Sequence, residues 1–300
     1  MQELAPIVLF VYNRPWHTKR TVEALKNNEL AGESDLFIFA DNTIDEKNKE
    51  SVDSVRNFVK TIDGFTTVKI VERETNFGLA NNVISGVTEV IDKNSKVIVL
   101  EDDIVCARTY LKYMNKLLSY YQTNEKIYSV TGYSYPIKIP VNYKYDVYFS
   151  PRASSWGWGT WKDRWEKVDW EVKDYSNFIK NPQLIKSFNS GGDDLTKMLK
   201  QQMNGVIDSW SIIWSYEHFK NNSYCVFPTK SRLRNIGADS SGIHTNKTKK
   251  FDVELYEEET ELNLTEELIF DQAIINNFQK FFSQNKFNKI ISEINNLISR

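Results

Sequence analysis

The stretch Lys96-Val97-Ile98-Val99-Leu100-Glu101-Asp102-Asp103 places three carboxylates directly after four consecutive apolar residues. A short, continuous apolar run of this kind is typical of a parallel strand that is buried on both faces. In open α/β sheets, ligands bind outside the carboxyl ends of the strands, and Mg²⁺ and Mn²⁺ prefer oxygen ligands. The stretch therefore predicts a metal-assisted diphosphate site, although Asp103 could instead cap the helix that follows.

Outward from this stretch, strand-like and helix-like segments alternate along the first part of the chain. The predicted strands cover 5–12, 35–40, 67–71 and 97–100, and the predicted helices cover 18–30, 46–61, 78–91 and 107–121. This order predicts a parallel sheet with right-handed crossovers and flanking helices. The sequence has neither a Gly-x-Gly-x-x-Gly pattern after the first strand nor a Walker-type loop, so it lacks the glycine-rich phosphate-binding motifs of dinucleotide-binding and P-loop enzymes.

Length, charge and cysteine content narrow the class of protein. The chain has 300 residues, of which 41% are hydrophobic, enough for one large α/β domain or two closely joined halves. Its net charge of -2 gives no electrostatic case for nucleic acid. Cys106 and Cys225 lie far apart and form no metal-type spacing, and only two cysteines in a chain of this length indicate a reducing compartment. Without a long apolar run or a signal-peptide pattern, we expect a cytoplasmic protein that could work at the inner face of the membrane.

Polar residues follow the other predicted strands too, and their loops are expected to meet at one edge of the sheet. They are Tyr12, Asn13 and Arg14 after the first strand, Asp41 and Asn42 after the second, and Arg73, Asn76 and Gly78 after the third. Asp41 could accept a hydrogen bond from a nucleotide base, and Arg14 or Arg73 could meet the base or a phosphate. Gly78 would permit close approach of the backbone. The alternative for Asn13 and Asn42 is a turn or helix cap.

Taken together, these residues resemble a known group of enzymes. The motifs Tyr12-Asn13-Arg14, Asp41, Asn76-x-Gly78-Leu79 and Glu101-Asp102-Asp103 look like those of a GT-A fold glycosyltransferase, including the family 2-like bacterial enzymes. The resemblance extends toward the N-acetylglucosaminyltransferase I group through Asp208-Ser209-Trp210, Cys225-Val226-Phe227-Pro228, Ser231-Arg232 and the loop from Gly237 to His244. Those relatives carry a second Asp where this chain has Ser209, and the last 50 or so residues have no counterpart.

The resemblance implies an α/β fold of the GT-A type, in which a Rossmann-like, mostly parallel sheet is flanked by helices. It also implies a metal-dependent, inverting transfer of a sugar from a nucleotide-diphosphate donor, with a UDP-sugar as the first choice. The acceptor would be a hydroxyl of a glycan, a lipid-linked or a protein-linked molecule in bacterial surface polysaccharide assembly, a setting that rests on analogy alone.

The resemblance also assigns roles to individual residues. Asp103 would bind Mn²⁺ or Mg²⁺, and His244 would bind the metal or a phosphate. Glu101 and Asp102 would contact the ribose or donor sugar, or support the metal. Asp208 would act as general base toward the acceptor hydroxyl. Two further side chains are expected in supporting roles, a phosphate contact by Arg232 and an acceptor contact by Asp194, although Asp194 and Asp208 could each be a helix cap instead.

Seven of the eight tryptophans fall between residues 156 and 214, and this part of the chain predicts an acceptor site. Trp156, Gly157 and Trp158 combine aromatic faces, which can pack on sugars, with a glycine that lets the loop approach a ligand. Trp161 and Trp165 have i,i+4 spacing on a predicted helix and are expected to pack in the core.

We expect three regions along the chain. Residues 1–103 would be the nucleotide-sugar-binding half, 104–250 the acceptor-binding and catalytic half, and 251–300 a helical C-terminal extension. An apolar stripe from Phe287 to Ile298 could pack on the catalytic domain, form a homodimer or touch a membrane.

Two alternative functions remain at this stage. A sugar-nucleotide pyrophosphorylase-like nucleotidyltransferase would need a Gly-rich, basic loop after the first strand, which Asn13-Arg14-Pro15 is not. A non-catalytic carbohydrate-binding protein would keep the tryptophans but would not need three adjacent acids.

Overall fold

A computed structural model describes residues 3–239, 248–258 and 261–283 of the chain. Its first part alternates strand and helix as the sequence predicts. The elements are β1 (Ile7–Val11), α1 (Pro15–Lys26), β2 (Asp35–Ala40), α2 (Glu46–Val59), β3 (Thr67–Glu72), α3 (Leu79–Ile91) and β4 (Lys96–Glu101). These four strands pair in parallel in the order β3-β2-β1-β4, so the predicted parallel arrangement is confirmed for them.

The second part adds shorter elements. They are β5 (Ile104–Cys106), α4 (Tyr110–Tyr120), β6 (Ile127–Thr131), β7 (Val147–Ser150), β8 (Trp158–Trp161), α5 (Lys162–Trp165), α6 (Tyr175–Phe178), α7 (Pro182–Phe188), α8 (Leu195–Met203), α9 (Trp210–Lys220), β9 (Tyr224–Pro228), β10 (Leu233–Asn235) and α10 (Gln272–Phe282). Two single 3-10 turns lie at Ala31–Glu33 and Asn189–Gly191. The main sheet has eight strands in the order β3-β2-β1-β4-β8-β6-β9-β7, and β5 pairs with β10 in a separate antiparallel ribbon.

Both faces of the central strands are covered, which explains their continuous apolar sequences. Every residue of β1 is buried, and its side chains alternate between two core clusters. Leu9 and Val11 belong to the cluster that includes residues of α1, α2 and α4, whereas Val8 and Phe10 belong to the cluster that includes residues of α3. The fold is therefore an α/β sheet flanked by helices, as predicted.

The tryptophan-rich segment forms part of this sheet, which corrects the prediction of a ligand-approaching loop and of a helix that includes Trp161. Strand β8 lies between β4 and β6 and is antiparallel to both. The ring of Trp158 has no exposed surface and packs against Trp165, Trp210 and Trp214. Of the eight tryptophans, all of which are described, only Trp16 at the start of α1 is mostly open to solvent, at 60%.

The C-terminal region contributes one described helix. Ile274, Phe278 and Phe282 on α10 pack against Tyr148 and Phe227 of the sheet's far edge. The predicted apolar stripe from Phe287 to Ile298 lies outside the described residues. In the portions of the chain that the structure describes, no helix has the length and apolar character needed to cross a membrane.

Candidate active site

Three carboxylates gather at the carboxyl end of β4 beside one arginine. Asp102 and Asp103 are 8% and 9% exposed, and Glu101 is half-buried. Arg14, in the three-residue connection between β1 and α1, donates from Nη1 to Oδ2 of Asp103 at 2.9 Å. The same nitrogen lies 3.6 Å from Oδ1 of Asp102. The ends of two neighbouring parallel strands thus place these residues together, as the strand-end argument predicts.

The charges of this cluster are poorly compensated. Burial raises the pKa of Glu101 to about 8, with repulsion from Asp103 and Asp102 acting in the same direction. Burial and Asp103 likewise raise the pKa of Asp102 to about 7, against the opposing influence of Arg14 and of the Tyr12 backbone N–H. Because one guanidinium faces three acids, an additional cation would lower the electrostatic energy of the cluster.

The residues fit a divalent cation through Asp103. Its Oδ1 atom is buried and has no hydrogen-bond partner, and a buried carboxylate oxygen in that state favours a hard cation. Nε and Nη2 of Arg14 are also buried without hydrogen-bond partners, so they could donate to a phosphate, although Nη2 lies 3.8 Å from Oδ1 of Asp239. Among the described residues, however, no group of three His, Cys, Asp or Glu side chains forms a preassembled metal site. His244, the other predicted ligand, lies outside the described residues.

The segment after β10 closes against the cluster. The backbone N–H of Ile236 donates to the backbone carbonyl of Asp103 at 2.8 Å. A Cβ atom on Gly237 would lie 2.0 Å from Oδ2 of Asp103 and 2.8 Å from Nη2 of Arg14, so a larger residue would have to displace these two side-chain ends. The match of Gly237 to the family motif therefore has a steric reason in this chain.

Sequence reasoning missed one member of this neighbourhood. His17 was not among the predicted site residues, but its Nε2 atom lies 3.0 Å from Oδ2 of Asp239, whose Oδ1 atom is 3.8 Å from Nη2 of Arg14. Burial, and then the charge of Arg14, lower the pKa of His17. The available signal was its position three residues after Arg14, because residues at that spacing lie on the same side of a helix start.

Asp41 organises the loop that begins α3. It is buried, and it accepts hydrogen bonds from the backbone N–H groups of Asn42 and Phe77 at 2.8 and 2.9 Å and of Gly78 at 3.2 Å. Burial raises the pKa of Asp41 although these donors oppose the change. The side chain of Asn76 donates to the backbone carbonyl of Asn42 at 2.6 Å, which joins the loops after β2 and β3.

Three other residues that were predicted to contact the nucleotide-sugar donor, Arg73, Asn13 and Tyr12, are engaged within the protein. Arg73 donates to Asn82 and Ser85 on α3 and lies over the rings of Phe39 and Phe77. The side chain of Asn13 donates to that of Asn48 on α2 at 2.9 Å. Tyr12 places its hydroxyl 3.4 Å from the backbone nitrogen of Ile44. The structure thus brings the four predicted loops to one edge, where several of the side chains hold the loops themselves.

Asp208, the predicted general base, lies at the same edge. Its Oδ2 atom accepts a hydrogen bond from the backbone N–H of Ala80 at 3.2 Å, in the first turn of α3. Oδ2 is also 3.2 Å from where a Cβ on Gly78 would stand, so the two motif residues are neighbours. The side chain is exposed, and its hydrogen bond is to the start of α3 and not to α9, the helix that follows it in the sequence.

Several predicted contacts lie elsewhere, and their assignments need correction. Asp194 forms a bidentate ion pair with Arg152 at 2.8 and 3.0 Å, so both of its carboxylate oxygens have a partner within the protein. Trp158 is wholly in the core and has no face for a sugar. Gly157 has a φ of +51° and is buried, with a position for Cβ only 2.1 Å from Leu233, so close packing explains this glycine.

Two more residues are found away from the acidic cluster. Trp156 is half-buried, with its ring against Tyr133 and Phe251. Arg232 donates to Oγ1 of Thr109 and to the backbone carbonyl of Glu258, each at 2.9 Å. Neither residue has a contact with the carboxylates at the end of β4 in the described part of the chain.

Comparison with known proteins gives fold-level likenesses only. No family model and no curated protein matches the chain. TarS of S. aureus has 12% identity and a TM-score of 0.41, and the match covers 76% of this chain and 36% of that one. The chain therefore spans about a third of the length of TarS.

Two other solved structures have comparable values. The mannosyltransferase PcManGT from Pyrobaculum calidifontis, in complex with GDP-Man and Mn²⁺, has 10% identity and a TM-score of 0.41 over 73% of this chain and 70% of that one. A UDP-glucose pyrophosphorylase complexed with UDP-glucose has 13% identity and a TM-score of 0.36 over 77% of this chain and 93% of that one. At these values, the likenesses carry no argument about the activity of this chain.

Proposed function

We propose that this protein is a glycosyltransferase that uses a nucleotide-diphosphate sugar and a divalent cation. The observation that carries the proposal is the pairing, at the end of β4, of a buried Asp103 oxygen that has no hydrogen-bond partner with buried Arg14 nitrogens that also have none. The first suits a cation and the second suits a phosphate, and a metal-bound diphosphate supplies both. The connection between β1 and α1 has only three residues, which favours a transferase over a pyrophosphorylase with a Gly-rich, basic triphosphate-binding loop at this point.

The residues of the chain support the following division of labour. Asp103 would hold Mn²⁺ or Mg²⁺, and Arg14 would donate to the diphosphate from Nε and Nη2. When bound, the cation would offset the negative charge that develops on the leaving diphosphate. The loops joined by Asp41 would receive the nucleoside, which we propose to be uridine on the strength of the sequence resemblance.

Asp208 would accept the proton of the attacking hydroxyl and so give direct displacement with inversion. Its exposed carboxylate at the start of α3, beside Gly78 at the same edge of the sheet, supports this role. The acceptor would be a glycan or glycoconjugate of bacterial surface polysaccharide assembly. Trp158, Gly157 and Asp194 are not part of the proposed acceptor site, for the structural reasons given above.

Calorimetric titration of UDP, GDP, CMP and UDP-sugars, with Mn²⁺ and again with EDTA, tests the donor site. We expect UDP binding that requires Mn²⁺, is lost in Asp103→Ala and survives in the control Asp193→Ala, which removes an exposed acid elsewhere. A preference for GDP or CMP would keep the class of enzyme and overturn the uridine assignment. A folded protein that binds no nucleotide under any condition would refute the transferase proposal.

The base is tested separately with Asp208→Asn. The amide oxygen can still accept the hydrogen bond from Ala80, but the side chain can no longer take a proton. We expect nucleotide binding to persist while the rate of UDP-sugar turnover falls by about 10²- to 10⁴-fold. An unchanged turnover rate would exclude Asp208 as the base.

A further inference from the structure

His17 and Arg14 both face one carboxylate, that of Asp239. Nε2 of His17 lies 3.0 Å from Oδ2 of Asp239, and Nη2 of Arg14 lies 3.8 Å from Oδ1 of the same group. Arg14 directly precedes α1 and His17 is the third residue of that helix, so both belong to the edge of the sheet at which β1 ends. The carboxylate of Asp239 therefore marks a place beside the candidate active site where the protein accommodates an anion.

The imidazole of His17 acts as a donor at this place. The residue is 6% exposed, and its ring meets that of Trp16 edge-on. Because an ionised carboxylate accepts hydrogen bonds and donates none, Nε2 of His17 carries the proton in this contact. The same N–H can donate to a phosphate oxygen, whether the ring is neutral or charged.

Asp239 meets only part of the hydrogen-bonding capacity around it. Its distance of 3.8 Å from Nη2 of Arg14 is too long for a hydrogen bond, and Nη2 and Nε of Arg14 are buried without hydrogen-bond partners. Buried donors in this state cost free energy that a better placed acceptor would recover. A phosphate group has more acceptor oxygens than a carboxylate, so it can engage His17 and Arg14 together.

The carboxylate of Asp239 can give up its position by rotation of the side chain. That side chain is 45% exposed. The backbone nearby need not move, because the N–H of Ile236 remains bonded to the carbonyl of Asp103. Electrostatics favour the exchange, since Arg14 already lies within 3.6 Å of both Asp102 and Asp103. An incoming phosphate that replaces Asp239 adds less repulsion than one that joins it.

We propose that His17 is a second phosphate-binding residue of the donor site, and that the Asp239 carboxylate occupies the position of a phosphate oxygen until the donor binds. This inference rests on the proposed function, because it concerns the same diphosphate. Asp239 thus competes with the donor, and its rotation frees Nε2 of His17 for the phosphate. The alternative role for Asp239 is that of a cation ligand, in which it would strengthen donor binding instead of opposing it.

Calorimetric titration of UDP, GDP and inorganic pyrophosphate, each with Mg²⁺, distinguishes these two roles of Asp239. Pyrophosphate has no base or sugar, so its affinity reports the phosphate contacts alone. Asp239→Ala removes the competing carboxylate, and we expect binding to become about three- to tenfold tighter. The control Asp193→Ala, which removes an exposed acid elsewhere, should leave the affinity unchanged. Weaker binding in Asp239→Ala would identify a metal ligand, and weaker or unchanged binding would overturn the proposal.

Two substitutions of His17 test its contact with the phosphate. His17→Phe keeps an aromatic ring but removes the donor, whereas His17→Gln supplies an amide nitrogen that can still donate. We expect binding to be roughly tenfold weaker or more in His17→Phe and to lie within about threefold of the wild type in His17→Gln. The loss in His17→Phe should persist when Asp239→Ala is added, because His17 then contacts the ligand itself. A loss that disappears in the double variant would show that His17 acts only through Asp239.

The wild-type protein separates a failure of this inference from a failure of the proposed function. Metal-dependent nucleotide binding that no substitution of His17 or Asp239 alters would retain the donor site and overturn the inference alone. A folded wild-type protein that binds none of the probes would overturn both. Thermal unfolding checks the fold of each variant, and Asp239→Ala, which changes a half-exposed side chain, decides the question if His17→Phe does not fold.

Discussion

His218 provides a quantitative test of how burial controls the stability of this fold. Its ring has no exposed surface, with Nδ1 2.8 Å from the backbone carbonyl of Trp214 and Nε2 2.8 Å from the hydroxyl of Ser129. Neutral imidazole satisfies both contacts, with one nitrogen as donor and the other as acceptor. Burial lowers the pKa of His218 from 6.5 to about 4, because the charged form would lose its hydration.

The sign and size of the effect follow from proton linkage. The folded state binds this proton less readily than the unfolded state, so the stability associated with His218 is complete above pH 6.5 and is lost as the pH falls toward 4. The full difference corresponds to roughly 3 kcal/mol at 1.36 kcal/mol per pKa unit. About 2 kcal/mol of this is lost between pH 8 and pH 5.

The assay is urea unfolding at pH 8 and pH 5, in EDTA, for the wild-type protein, His218→Gln and the control His17→Gln. His218→Gln should be less stable at pH 8 but should lose about 2 kcal/mol less than the wild type on going to pH 5. His17→Gln keeps the imidazole of His218 and should retain the loss of about 2 kcal/mol that His218 causes, while removing only the contribution of His17, whose pKa burial also lowers. An identical pH dependence in the wild type and His218→Gln would refute the reasoning.

Three other substitutions test features of the site and its surroundings. Asp194→Asn should lower the free energy of unfolding, measured by urea titration, by about 3–5 kcal/mol, because it leaves Arg152 buried without its counter-ion. No loss of stability would make Asp194 a candidate for acceptor binding again. Gly78→Ala should cost about 1–3 kcal/mol in the same measurement, since its φ of +73° and ψ of 165° are accessible essentially to glycine alone. Gly237→Ala should displace the Asp103 carboxylate and so abolish Mn²⁺-dependent nucleotide binding, which calorimetry would measure. Unaltered binding would show that the segment at Gly237 moves away when the ligand enters.

The first half of the fold was predictable because its signals are local. Strands β1, β2 and β4 are buried on both faces or nearly so, and their continuous apolar runs alternate with helices of clear periodicity. Strand β8 was not predictable in the same way. Its sequence Trp-Gly-Thr-Trp resembles a loop, and its place in the sheet depends on pairing with β4, some 60 residues earlier.

The candidate site shows the same division between local and distant information. Some of the site residues lie directly after a parallel strand or at the start of the next helix, so the topology alone predicts that they share one edge of the sheet. These residues are Arg14, Asp41, Gly78 and Asp103. The position of Arg232 depends on the antiparallel pairing of β10 with β5, which no local pattern indicates. The Arg152 partner of Asp194 is likewise 42 residues away and could not be inferred from helix capping.

Because the indole rings are unevenly buried, tryptophan fluorescence can report on one particular place in the molecule. Seven rings are buried or half-buried, and Trp16 alone is mostly exposed, so a dissolved quencher such as iodide would act chiefly on the emission of Trp16. Trp16 lies two residues after Arg14 and next to His17, whose ring it meets edge-on at 4.9 Å between centroids. Fluorescence from this one indole can therefore register the arrival of a ligand at the edge of the sheet in unlabelled protein, while the shielded rings report global unfolding in the same cuvette.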